Sequence, residues 1–151
     1  MKKQVLLSIT FLTSLVISAC SANLAEEEKI PYVFMNNVQK DISNPKFPQV
    51  SLNYCIINPI DSEVDITKVE FLLEVENIKI QQKFVNFNDS IEPLSKKCYD
   101  LKFKTDALLS PKAASTLLES ILPKKYAITA TLGFDDDEVT SKTSKITGVF
   151  N

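Results

Sequence analysis

Lys96-Lys97-Cys98-Tyr99-Asp100-Leu101-Lys102-Phe103-Lys104 is the stretch that decides the fold. Tyr99, Leu101 and Phe103 fall on one side of an extended chain, and Cys98, Asp100, Lys102 and Lys104 on the other. A period of two residues marks a β-strand with one buried face. The run is the end of an apolar–polar segment that begins near Ile91.

The same rhythm recurs on both sides. Tyr32-Val33-Phe34-Met35 opens a strand to about Val38. Val50-Ser51-Leu52-Asn53-Tyr54-Cys55-Ile56 alternates until Asn58-Pro59 stops it. Ile66 to Val75 sends Val69, Phe71, Leu73 and Val75 one way, and Lys68, Glu70, Glu74 and Glu76 toward water. Asn77 turns the chain into a weaker strand, Ile78 to Phe87. Lys125 to Phe134 and about Thr140 to Phe150 close the set. One helix is expected after Ser110-Pro111, an N-cap followed by proline at the first helical position. Its stripe is Ala113, Ala114, Leu117, Leu118 and Ile121, a face to be packed on the core, and Pro123 ends it. About seven short strands with one helix in a late crossover predict an all-β, immunoglobulin- or fibronectin-like sandwich.

Composition narrows the chemistry. The chain has 151 residues, 44% of them hydrophobic, enough for one domain with a core. It contains no His, no Arg and only two glycines, Gly133 and Gly148. An imidazole base, a His metal ligand, a guanidinium fork and a glycine-rich phosphate cradle are therefore excluded. Residues 20–151 carry 15 Lys against 19 acidic side chains, a net charge of −4, which speaks against nucleic acid. No catalytic residue, cofactor or metal site is assigned. A hydrolase working through carboxylates ranks last among the functional readings.

The N-terminus has its own chemistry. Met1-Lys2-Lys3 is basic and Val5 to Ile17 is apolar but shorter than the roughly 20 residues a membrane span needs, so residues 1–19 read as a cleaved signal. They end in Ile17-Ser18-Ala19-Cys20, which resembles the lipobox of bacterial lipoproteins, with diacylglycerol joined to the Cys20 thiol. An ordinary secretory signal is the alternative. Ser21 after the cysteine favours, by resemblance to sorting rules, the outer membrane and a periplasm-facing protein. Residues 20–30 form the lipidated start and a flexible acidic tether, and residues 31–151 the domain.

If Cys20 carries lipid, Cys55 and Cys98 remain as an even pair in an oxidising compartment, where a disulfide is expected. By parity both point away from the core, which allows a bridge across neighbouring strands on an outer face. Two unpaired thiols are the alternative. Asp135-Asp136-Asp137-Glu138 lacks the spacing and central glycine of a calcium loop, so it reads as a solvated hairpin tip. Glu74 and Glu76 read as outer-face residues of one strand.

Val50 to Phe134 also carries a family pattern. The strand Val50–Ile57 runs into Asn58-Pro59. Ile66–Val75 follows with its short turn, and Ile91-Glu92-Pro93-Leu94-Ser95 leads into Lys96–Lys104. The helix then precedes Tyr126-Ala127-Ile128-Thr129-Ala130-Thr131-Leu132-Gly133. This resembles the late embryogenesis abundant type 2 family, also called the water stress and hypersensitive response (WHy) domain. It departs from the family in its turn, Glu76-Asn77 instead of an Asn-Gly type. The resemblance implies a sandwich and an association with desiccation or other stress. Asn58 and Pro59 are expected to serve the turn itself, the amide bonding locally and the proline ending the strand.

The expected function is a non-enzymatic, membrane-anchored stress lipoprotein with an unidentified protein or lipid partner. The alternative is an accessory lipoprotein that binds a protein of an envelope or secretion machine.

Overall fold

A computed structural model describes residues 30–119, 121–134 and 141–150. The expected signal peptide, Cys20, most of the expected tether and the acidic run at 135–138 lie outside the described residues. The elements are β1 (Tyr32–Asp41), β2 (Gln49–Ile57), β3 (Val64–Val75), β4 (Ile78–Ile91), β5 (Lys96–Lys104), α1 (Pro111–Leu118), β6 (Lys124–Phe134) and β7 (Ser141–Phe150). They make two antiparallel sheets, one of order β1-β2-β5 and one of order β4-β3-β6-β7. The fold is a β-sandwich.

The alternation quoted first is what packs it. Leu101 and Phe103 are buried from β5, and Val50, Leu52, Tyr54 and Ile56 from β2. Val69, Phe71, Leu73 and Val75 face them from β3, with Ile128, Ala130 and Leu132 from β6. Aromatic rings join the two layers: Tyr54 meets Phe71 edge-on at 4.8 Å and stacks on Tyr99 at 5.4 Å. Burial pushes the Tyr54 hydroxyl up to about 12, with Tyr99 adding to the effect.

Two lysines close one open side of the sandwich. Lys83 on β4 donates to the Lys102 carbonyl at 2.9 Å, and Lys97 on β5 donates to the Ser90 carbonyl at 2.8 Å. Each cation caps a main-chain acceptor on the edge strand opposite, which blunts both edges against further pairing. Lys97 also pairs with Asp89 at 2.7 Å. That contact holds the Asp89 carboxyl below its ordinary value and the Lys97 ammonium above its own.

Several boundaries differ from the sequence reading. β1 runs on to Asp41 through a bulge between Asn36 and Gln39, where Asn37 takes φ 50°. Ile91 ends β4 instead of opening β5, because the 92–95 turn separates them. Helix α1 stops at Leu118, so Ile121 is exposed and belongs to no stripe. Ser110 makes no side-chain cap. In its place the Asp106 carboxylate accepts the N–H groups of Leu108 and Leu109 at 2.8 and 3.4 Å, before the helix begins. Glu76 leaves the strand face altogether. It and Asn77 have φ 50° and 62°, the two left-handed positions of a type I′ turn. The usual cost of such a conformation for a non-glycine residue is offset here by bonding. The Glu76 N–H donates to the Lys125 carbonyl at 2.9 Å, and its carboxylate accepts the Lys125 N–H.

Candidate functional site at the two ends of the sandwich

Asn58 and Pro59 leave β2 at the end of the sandwich where β1 begins. Asn58 is only 1% exposed. Its Nδ2 donates to the carbonyls of Ser62 (2.8 Å), Ile91 (3.1 Å) and Glu92 (3.1 Å), and its Oδ1 accepts the Ile60 N–H at 3.2 Å. Its own N–H donates to Ser95 at 2.9 Å, and Leu94 donates to Ile60 at 2.8 Å. One amide thus ties the β2–β3 loop to the β4–β5 turn. The bond to Ile60 is the local one expected from the sequence, and the reach to Ile91 and Glu92 is additional. Only an amide fits: a carboxylate cannot donate, and an apolar side chain would strand these buried groups. Both side-chain polar atoms of Asn58 are thus bonded within the protein.

Beside this corner lies the outer face of the three-stranded sheet. Cys55 and Cys98 are direct cross-strand partners of β2 and β5, and they are joined by a disulfide with Cα atoms 4.0 Å apart. The pairing and the outward facing are those expected from parity. Phe34, the β1 partner of Cys55, is half-exposed, and Tyr32 pairs with Ile57 in the next row. Farther along, the face turns polar. Asn37 donates to Asn53 at 2.8 Å, and Asn53 donates to Asp100.

The opposite end is built differently. Helix α1 crosses it and buries Ala113, Ala114, Thr116 and Leu117. The chain on either side of the helix leaves four aliphatic side chains in solvent: Leu108 (89% exposed), Leu109 (83%), Ile121 (88%) and Leu122 (64%). The β1–β2 loop adjoins this segment, since Ala107 donates to the Lys46 carbonyl at 3.0 Å and Thr105 to the Pro48 carbonyl at 2.9 Å. Lys104 lies over the Phe47 ring at 4.6 Å.

Among the described residues, two shallow depressions border the sheets. One, of about 410 Å³, is bordered by Glu74, Glu76, Lys125, Tyr126, Lys145 and Gly148. A Cβ on Gly148 would come within 2.7 Å of Tyr126 Cε1, so a side chain there would displace the ring that stacks on Phe150 at 4.5 Å. Glu74 and Glu76 share the border, but the Glu76 carboxylate is committed to Lys125. The other, of about 230 Å³, borders the Asn37–Asn53–Asp100 row. Among the described residues no three His, Cys, Asp or Glu side chains gather as a metal site. Sequence reasoning missed Asp106, the bonding of Glu76 to Lys125 and the paired aliphatics. For the last, the visible signal was two doublets, Leu108-Leu109 and Ile121-Leu122, flanking a helix too short to absorb them.

No protein-family model and no curated protein matches the chain in sequence. Solved structures do match in shape. A solution structure described as a candidate late embryogenesis abundant (LEA) protein is similar at TM-score 0.56 and 14% identity, covering 85% of this chain and 74% of that one. An Arabidopsis thaliana protein is similar at TM-score 0.52 and 14% identity, covering 76% of each chain. A protein from Archaeoglobus fulgidus is similar at TM-score 0.55 and 8% identity, covering 79% of this chain and 94% of that one. At these identities the likeness is one of fold. The sandwich shares its fold with a candidate LEA protein.

Proposed function

We propose that this chain is a bacterial lipoprotein, cleaved before Cys20 and held by its acylated N-terminus at the periplasmic side of the outer membrane. There it carries a WHy-like sandwich that protects the envelope under desiccation or related stress through contacts, without turnover. The observation that carries this reading is the partition of the three cysteines. Cys20 follows a basic and apolar leader at the lipobox position. The other two, 43 positions apart in sequence, are bonded on an exposed face, a bond that suits an oxidising compartment.

The residue inventory favours contact over catalysis. Without His or Arg, acid–base work would fall to carboxylates, Lys or Tyr. Of the two acids on the larger depression, Glu76 is spent on a turn.

A second reading, an accessory lipoprotein binding a protein partner in an envelope machine, draws support from the exposed Leu108, Leu109, Ile121 and Leu122. Mass spectrometry of the N-terminal peptide from membrane extracts tests the anchor. A peptide starting at Cys20 with diacylglycerol is expected, and Cys20→Ser should release the protein from the membrane. A free Cys20 thiol in a soluble protein would refute it. Loss of viability on drying in a deletion strain, with no stable partner after crosslinking, separates the first reading from the second.

A further inference from the structure

The helix end differs from the Asn58 end in charge as well as in polarity. Lys104 and Lys112 flank Leu108 and Leu109 in the chain, and Lys46 lies in the loop bonded to the same segment. Among the described residues the only ion pairs are Lys97–Asp89 and Lys124–Glu119, so these three cations have no carboxylate partner there. Among the described acids at the same end, Asp106 holds the turn before α1, Glu119 pairs with Lys124, Glu76 accepts from Lys125, and Asp41 accepts from Ser43 and Gln49. At the Asn58 end the exposed charges include Asp61, Glu63, Asp65 and Glu92. One end therefore joins aliphatic tips to cations that bridge no described carboxylate, and the exposed charges of the other are mostly acids.

We infer that the helix end is a contact site for an anionic lipid surface, with Leu108, Leu109, Ile121 and Leu122 entering the interfacial zone and Lys46, Lys104 and Lys112 facing the headgroup phosphates. Aliphatic tips with a basic rim are what a membrane interface selects. The tips come from two separate stretches, Leu108-Leu109 before the helix and Ile121-Leu122 after it, and not from one amphipathic helix or strand that a partner's face would match. A fluid surface needs no such complementarity.

The bilayer is the one that carries the anchor. Eleven residues lie between Cys20 and Tyr32, a span of about 40 Å when extended. A ten-residue strand is about 33 Å long. The tether can therefore lay the domain down so that the far end meets the leaflet to which the chain is fixed. This choice of leaflet rests on the lipoprotein reading. Affinity for anionic lipid does not.

The chain has no tryptophan, so a single substitution makes a unique reporter. The chain from residue 20 onward with Cys20→Ser keeps every residue of the folded part and removes the anchor. In it, Leu109→Trp and, as the far-end control, Leu94→Trp are mixed with vesicles of phosphatidylethanolamine and phosphatidylglycerol containing brominated acyl chains. The tryptophan at 109 is expected to be quenched, less so at high salt or with phosphatidylcholine alone, and the one at 94 to be unaffected. Replacing Leu108 and Ile121 by Ser should weaken vesicle binding by about a hundredfold, since each buried aliphatic contributes roughly one decade. Equal quenching at both positions, quenching at 94 alone, or no binding to anionic vesicles would overturn the inference. Because the anchor is absent, failure here leaves the Cys20 mass measurement to decide the lipoprotein reading separately. With the anchor restored in the same vesicles, quenching at 109 is expected to persist. Its loss on anchoring would refute the choice of leaflet.

Discussion

The two ends of this sandwich close the same pair of sheets by opposite means. At the Asn58 end a single buried amide bonds to Ser62, Ile91, Glu92 and Ile60, and two main-chain bonds add Ser95 and Leu94. At the helix end Ser110 makes no side-chain cap, the helix lasts eight residues, and the chain around it leaves four aliphatics in water. Polar bonds turned inward lock one end. Apolar surface turned outward leaves the other with unused binding capacity. The difference teaches that a two-layer core does not require both of its ends to be finished.

The comparison can be broken most strongly near the locked end. Cys55→Ala with Cys98→Ala reopens a loop that the chain-entropy argument values at about 4 kcal/mol. Denaturant unfolding should register that loss, and a loss below about 1 kcal/mol would mean that register alone holds β2 against β5. Asn58→Ala leaves buried carbonyls without donors, and a destabilisation of about 3 kcal/mol is expected in the same assay. Asn58→Asp should be no better, because the carboxylate cannot donate.

The alkaline response probes the core that both ends share. The folded Tyr54 hydroxyl ionises at about 12 against an ordinary 10, because burial disfavours the phenolate. An acid whose folded value is raised contributes its full stability below its unfolded value, and loses it as pH rises through the folded one. Stability should therefore fall from about pH 10 to pH 12, and Tyr54→Phe should flatten that decline. A decline unchanged in Tyr54→Phe would place the titrating group elsewhere. The smallest effect belongs to the open end. Ser110→Ala should change stability by less than about 0.5 kcal/mol, where a bonded cap would cost about 1 kcal/mol. A full-sized loss would show that Ser110 caps α1 in solution.

Much of the fold was legible because strands record their burial every second residue. Val69, Phe71, Leu73 and Val75 declared their face, and so did Tyr99, Leu101 and Phe103. The same parity put Cys55 and Cys98 on an outer surface, and their register partnership bears that out. What sequence could not supply was contact at long separation. Asn58 announces a turn, yet its bonds to Ile91 and Glu92 cross 33 and 34 residues and depend on how two loops meet. Ile121 misled for a related reason. It stands at helical spacing from Leu117, but Pro123 disfavours helix in the residue before it, and the chain leaves the helix at Leu118. Glu76 was read by strand parity, although a tight turn after Val75 had already broken the period.

Amide hydrogen exchange on the free protein tests the contrast between the ends most directly. The N–H groups of Asn58 and Leu94, held within the Asn58 knot, should exchange only through global unfolding. Those of Ser110, Ala114 and Glu119, bonded to Asp106, Ser110 and Ser115, should exchange through local opening and so much faster. Equal protection at the two ends, or slower exchange around α1, would contradict the account.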